Sequence, residues 1–227
     1  MSSIRGLQQY LKDTGRYTGV VDDLWGPQTQ AALVKLFEDG PDTRLTEQDF
    51  IDSAARLGVS PAHIKAVVAV ESSGAGFFEG YPVILPEPHW FSRLTKGIYD
   101  RIAPDVSYPQ WGTHPYPKTQ KERYSRLIKM IKLSPMDGFA SASYGKFQIL
   151  GANFKEAGYP TPMHFAEAMA MDEKAQLIAF ERFVVNKGLL KYLRTNNWAA
   201  FARGYNGPAY RKNQYDAKLL AAFRKFS

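Results

Sequence analysis

At 227 residues, 44% of them hydrophobic and 22% charged, the chain is long enough for one filled core with a small appendage and too apolar for a disordered polymer. It contains no cysteine, which excludes a disulfide frame, a thiolate nucleophile and a cysteine metal cluster. The net charge of +7 is concentrated at one end, since residues 181–227 hold ten Lys/Arg against two acids. A basic face there either serves solubility or draws the protein to a polyanion: nucleic acid, an anionic lipid surface or an acidic wall polymer.

The first residues, MSSIRGLQQYLKDTG, lack a basic start followed by an apolar run, and no later stretch approaches the ~20 apolar residues that cross a bilayer. The expectation is synthesis in the cytoplasm, with a separate release factor if the protein acts elsewhere. Residues 4–38 read as helix, Gly-rich turn, helix. Ile4, Leu7 and Leu11 form one stripe, Gly15, Gly19 and Gly26 mark the turn, and Pro27 opens a second helix with Ala31, Val34 and Phe37 facing back. This stretch resembles the helical peptidoglycan-binding module, whose pattern is LQ, GxYxG, VDG and GPxT, with Asp23 standing where the pattern has Gly. The resemblance implies a short wall-binding module over residues 1–40.

Gly40 and Pro41 mark a boundary. Thr46 with Asp49 predicts a capping box for a helix through Phe50, Ala54 and Leu57, closed by Gly58. The next stretch, SPAHIKAVVAVESSGAG from Ser60 to Gly76, reads as a helix with Ser60 as N-cap, Pro61 at its first position and Gly74 and Gly76 as the stop. Ile64, Val67, Val68 and Glu71 share one stripe, which places a carboxylate on an apolar face. Burial there disfavours the charged form and raises the carboxyl pKa, the condition for a general acid. The alternative is a solvated glutamate in the last turn.

From Gly80 to Pro117 lie seven of the fourteen prolines, interleaved with Tyr81, Trp90, Phe91, Tyr99, Tyr108, Trp111 and Tyr116. The expectation is a long ordered loop or irregular hairpin, whose aromatic faces suit sugar rings or else plug the loop onto the core. Thr119 and Glu122 predict a second capping box, for a helix through Tyr124, Leu127, Ile128 and Ile131. Residues 138–151, GFASASYGKFQILG, are rich in small side chains that allow close approach of backbone or ligand. Helices are then expected at 162–171, 173–187, 189–194, 198–203 and 215–226, giving a mainly α chain.

Three separated stretches carry a second resemblance. Glu71-Ser72, the run Ser143-Tyr144-Gly145-Lys146-Phe147-Gln148-Ile149, and Gly204-Tyr205-Asn206-Gly207 together resemble the signatures of goose-type lysozymes and lytic transglycosylases in the lysozyme-like superfamily. VILPEPHWFSRL and YNGPAYRKNQYDAKL are similar to the N-acetylmuramidase family found in modular endolysins of phages that infect Gram-negative bacteria. The resemblance implies a lysozyme-like catalytic domain over residues 41–227. It also implies hydrolysis of the β-1,4 bond between N-acetylmuramic acid and N-acetylglucosamine without a cofactor, host lysis, and accumulation in the host cytoplasm. It makes Glu71 the acid and Glu87 the second catalytic group, with Glu79 and Asp137 in reserve, or no second carboxylate if the substrate's acetamido group takes part. Ser143, Tyr144, Gln148, Tyr205 and Asn206 become substrate-binding residues.

Rival readings are a lytic transglycosylase on the same bond, a non-catalytic wall-binding virion protein and a nucleic-acid binder, the last without a recognised motif. His89 and His114 stand outside any HExxH or tight His/acid cluster, so no metal is expected. The expected partner of a monomer is the glycan strand, with the amphipathic AKLLAAFRKFS end contacting an anionic envelope surface.

Overall fold

The computed structural model describes residues 3–38, 40–71 and 75–227. Helices α1 (Ile4–Asp13) and α2 (Pro27–Glu38) are the expected pair. Gln8, fully buried, organises the turn between them: its amide nitrogen lies 2.8 Å from Asp22 Oδ1 and 3.0 Å from the Leu24 carbonyl, while its oxygen accepts from the Asp22 and Asp23 amides. Asp23, where the helical wall-binding pattern that this stretch resembles has glycine, has φ of 68°. That left-handed backbone favours glycine, and the aspartate offsets the strain by accepting a 2.6 Å hydrogen bond from the Arg5 amide.

The helix pair shares its interior with the rest of the chain. Leu7, Leu11, Leu33, Leu36 and Phe37 belong to the same buried cluster as Ile64, Phe139, Phe180 and Phe201. The Phe37 ring meets Tyr124 at 5.3 Å and Phe139 at 6.2 Å. Polar contacts add to this, with the Tyr10 hydroxyl donating to Glu167 and Arg16 pairing with the same carboxylate at 2.6 Å.

Helices α3 (Glu47–Leu57) and α4 (Pro61–Glu71) pack as a hairpin. The Thr46–Asp49 capping box is present and Gly58 closes α3 in the left-handed conformation. Ser60 is engaged by His63, its amide donating to Nδ1 at 3.1 Å. Helix α4 ends at Glu71. Ser72 of the first signature and Gly74, expected as part of the stop, lie outside the described residues.

The Pro-rich stretch is more regular than expected. Strands β1 (Phe77–Phe78) and β2 (Tyr81–Pro82) form a small antiparallel hairpin. Strand β3 (Ile84–Pro86) starts a three-stranded antiparallel sheet with β4 (Ala142–Tyr144) and β5 (Ile149–Leu150), in the order β3-β4-β5. A helix, α5 (Pro88–Leu94), follows directly. Pro82 and Pro86 sit at strand ends and Pro88 opens the helix, where its missing N–H leaves no bond unmade, so proline number was a poor guide and proline position decides. The remaining residues to 118 are irregular but ordered around a satellite core of Phe91, Ala103, Val106 and Met130. Asp100 ties this segment by accepting from Ser92 Oγ at 3.0 Å and Ser107 Oγ at 2.6 Å.

Helix α6 (Gln120–Leu133) begins at the expected Thr119–Glu122 capping box. A short helix, α7 (Pro135–Ala140), precedes β4 and was not anticipated. After β5 come α8 (Pro162–Met169), α9 (Glu173–Asn186), α10 (Leu190–Arg194), α11 (Trp198–Asn206) and α12 (Tyr215–Phe226). Helix α12 packs against α4 and α11. Its Leu219 is fully buried and its Phe223 ring lies 4.4 Å from His63 and 5.2 Å from Trp198. The apolar stripe of the C-terminal helix is therefore occupied within the protein, and Lys218, Arg224 and Lys225 remain on the outside. No helix among the described residues is long and apolar enough to cross a membrane.

Candidate active site

Glu71 stands at the last position of α4, at the edge of the stripe formed by Ile64, Val67 and Val68, all buried. Burial pushes its carboxyl from 4.5 up to about 7, against the opposing effect of Asn206. The Asn206 amide, at the end of α11, donates to Glu71 Oε1 at 2.8 Å. The other polar atom of Asn206, Oδ1, is buried without a hydrogen-bond partner among the described residues. A buried acceptor of this kind costs stability unless something donates to it, and a substrate N–H or hydroxyl beside Glu71 fits.

Glu87 follows the last residue of β3 and stands as N-cap of α5, its amide donating to the Ser141 carbonyl at 2.7 Å. Sheet pairing of Pro86 with Ala142 thus fixes where the carboxylate emerges. Burial raises this carboxyl too, to about 7, while the Tyr116 hydroxyl donates to Oε2 and works in the other direction. His89 Nδ1 lies 3.4 Å from the same oxygen. Burial, and then the Arg93 charge, lower the His89 pKa, so the imidazole is neutral at pH 7 and the contact is no ion pair.

Tyr215, the first residue of α12, lies within electrostatic reach of both carboxyls. Burial raises its phenol above the usual value, and the charges of Glu71 and Glu87 raise it further. Tyr116 and Tyr215 are the residues that sequence reasoning missed as site groups. Tyr116 appeared only as one loop aromatic among several, and Tyr215 only as the start of a helix.

The other predicted residues divide. Asn206 touches Glu71 directly, and Tyr205 lies beside it, its phenol raised by burial and then by the Glu71 charge. The Tyr205 hydroxyl is committed to the Phe147 carbonyl at 2.7 Å, so it ties α11 to the turn between β4 and β5. Gln148 spends its amide on the carbonyls of Gly145 at 2.8 Å and Val83 at 3.2 Å. Gly145 needs its missing side chain, because a Cβ there, at φ of 68°, would meet Gln176 Cδ at 2.4 Å.

Tyr144 departs from expectation. It is 1% exposed, its hydroxyl donates to the Phe139 carbonyl, and its ring packs edge-on to Phe165. A side chain buried in β4 cannot line a groove, and Tyr144 is a core residue. Ser143, also on β4, is 9% exposed and pairs with Leu85, two residues before Glu87. Of the reserve acids, Glu79 is exposed in the β1–β2 turn and Asp137 accepts from Ser134 Oγ at 2.6 Å at the start of α7. His114 packs edge-on to Tyr108 at 5.1 Å.

Two carboxyls raised by burial thus stand at the end of α4 and just after β3. Residues 60–227 match the N-acetylmuramidase family. The chain belongs to that family. The matched span starts at the muramidase helix that carries Glu71 and includes Glu87, the three-stranded sheet, α11 and α12. A crystal structure of a Burkholderia AP3 phage endolysin is similar over 99% of this chain and 96% of that one, with 34% sequence identity and a TM-score of 0.70. That likeness extends through α1, α2 and α3. No curated protein matches the chain. This muramidase is a glycoside hydrolase of peptidoglycan with a mainly α, lysozyme-like fold.

Proposed function

We propose that the protein is a phage endolysin that cuts the β-1,4 bond between N-acetylmuramic acid and N-acetylglucosamine, using Glu71 and Glu87. The observation that carries this reading is the pair of buried carboxyls, both raised to about 7, whose charges both act on Tyr215. Glu71, protonated, gives its proton to the leaving oxygen. Glu87, ionised, faces the oxocarbenium-like centre and takes a proton from the attacking water. Asn206 holds the Glu71 carboxyl in place and offers Oδ1 to the sugar, while Tyr205, Gln148 and Ser143 shape the floor.

In this reading α1 and α2 are a wall-binding pair. Val20 and Leu24, 75% and 69% exposed beside their turn, give apolar contact to sugar faces. The basic outside of α12 meets the anionic envelope, and a separate release factor brings the monomeric enzyme to the wall.

Mass spectrometry of digested, purified peptidoglycan tests the bond and the reaction. The expected fragments end in reducing N-acetylmuramic acid. Anhydro-muramic ends would reassign the protein to the transglycosylases, and reducing N-acetylglucosamine ends would move the cut to the other bond.

The acid and base assignments also fix a pH response. Activity requires Glu71 protonated and Glu87 ionised, so kcat/KM falls on either side of a maximum close to pH 7. The Tyr116 hydrogen bond lowers the Glu87 pKa, so Tyr116→Phe raises it and moves the acidic limb of the profile upward by roughly half to one unit. The basic limb, set by Glu71, stays in place. Displacement of the basic limb instead would exchange the two roles.

A further inference from the structure

An open cleft of ≈ 700 Å³ lies between the α9–α10 turn and α11, the helix that ends in Asn206. Three cations, Lys187, Lys191 and Arg203, line it together with Tyr192, Asn197 and Tyr210, and no acid does. Glu156 approaches Lys187 at 3.4 Å. Lys191 lies over the Tyr192 ring at 5.0 Å, and neither it nor Arg203 has a carboxylate partner among the described residues.

One lining residue of the cleft shares α11 with the residue that contacts Glu71. Arg203 precedes Asn206 by three residues on α11, and such neighbours have Cβ atoms about 5–6 Å apart on one face. Asn206 is the residue that holds Glu71. Tyr210, in the 3-10 turn that follows α11, closes the cleft from the same end, with Arg211 Nε donating to its hydroxyl at 3.1 Å.

We infer that this cleft receives the acidic stem peptide of the peptidoglycan strand, through its free carboxylates. The inference rests on the muramidase reading above and deepens it. In peptidoglycan the peptide branches from the lactyl ether of the same N-acetylmuramic acid whose glycosidic carbon is attacked. It must therefore leave the active site within one sugar of the cut. A cationic cleft one helical turn from the residue that holds the acid stands where that branch emerges, and unpaired Lys and Arg heads suit carboxylates spaced along a short peptide. The flanking tyrosines suit the aliphatic stems between them. A sugar subsite, by contrast, gains little from three cations.

The test compares kcat/KM on soluble glycan strands carrying stem peptides with kcat/KM on the same strands after an amidase has removed them. Wild type is expected to prefer the peptide-bearing strands by about tenfold, through KM, with the preference shrinking as salt is raised. The double variant Lys191→Gln/Arg203→Gln is expected to lose most of that preference, and Lys191→Arg/Arg203→Lys to keep it. Equal rates of wild type on both substrates, or a double Gln variant that slows both alike, would overturn the inference while leaving the muramidase reading intact. Failure of wild type to cut either substrate would remove both.

Discussion

Replacing Glu71 by Gln is expected to lower peptidoglycan hydrolysis by about 10³-fold, the scale of a lost general acid, while making the folded protein more stable above pH 7. Gln keeps the shape and the acceptor that Asn206 uses but has no proton to give. The stability gain follows from burial. Glu71 has a carboxyl pKa near 4.5 unfolded and about 7 folded, so between those values the native state holds a proton that the unfolded state has released. Wild-type stability is therefore full below 4.5 and declines as pH rises through 7. The neutral amide escapes that decline. After allowance for its own burial, the advantage at pH 8 is about 2 kcal/mol, or roughly 5 °C in melting temperature, and it vanishes below pH 4.5. The variant should still sediment with insoluble wall. Full activity in Glu71→Gln would remove Glu71 as the acid, and a stability difference independent of pH would show that its carboxyl is not desolvated.

The largest stability loss is expected at Glu173. Its carboxylate is 4% exposed and faces Lys146 Nζ at 2.8 Å, itself only 8% exposed. The same group accepts from the Gly76 amide at 3.0 Å and the Leu45 amide at 2.8 Å. It thus joins the start of α9 to the β4–β5 turn, to the segment beyond α4 and to the approach to α3. Glu173→Ala takes the carboxylate away from a buried ammonium and two backbone donors, a loss of about 3–5 kcal/mol, or roughly 10 °C in melting temperature. Glu173→Gln/Lys146→Met, which removes both charges, should recover part of the loss. A fall of less than 1 °C in Glu173→Ala would show that the buried pair contributes nothing beyond its own desolvation.

Much of this architecture is written locally. The Thr46–Asp49 and Thr119–Glu122 boxes, Gly58, and the stripe that puts Glu71 on an apolar face are short-range patterns, and the chain follows them. Glu87 was legible only through resemblance, because its surroundings come from β4 pairing and from Tyr116, which no periodicity near residue 87 announces. Tyr215 was invisible for the same reason, since its nearness to both acids depends on how α12 crosses α4. Tyr144 shows the converse. A motif position can serve backbone and core, and membership of a signature says nothing about which way its side chain points. The prolines of 82–88 were misleading because a count ignores that strand ends and first helical turns accept them.

The common interior of α1 and α2 with the later helices has a practical consequence for protein engineering. The first forty residues are not an exchangeable cassette. Severing the chain near Gly40 would bare Phe37, whose ring is seated against Tyr124 and Phe139, and would strand Glu167 without Tyr10 and Arg16. Chimeras that trade this segment for a foreign targeting unit should therefore come out of expression insoluble, whereas fusions appended ahead of Ser3 leave the shared packing whole.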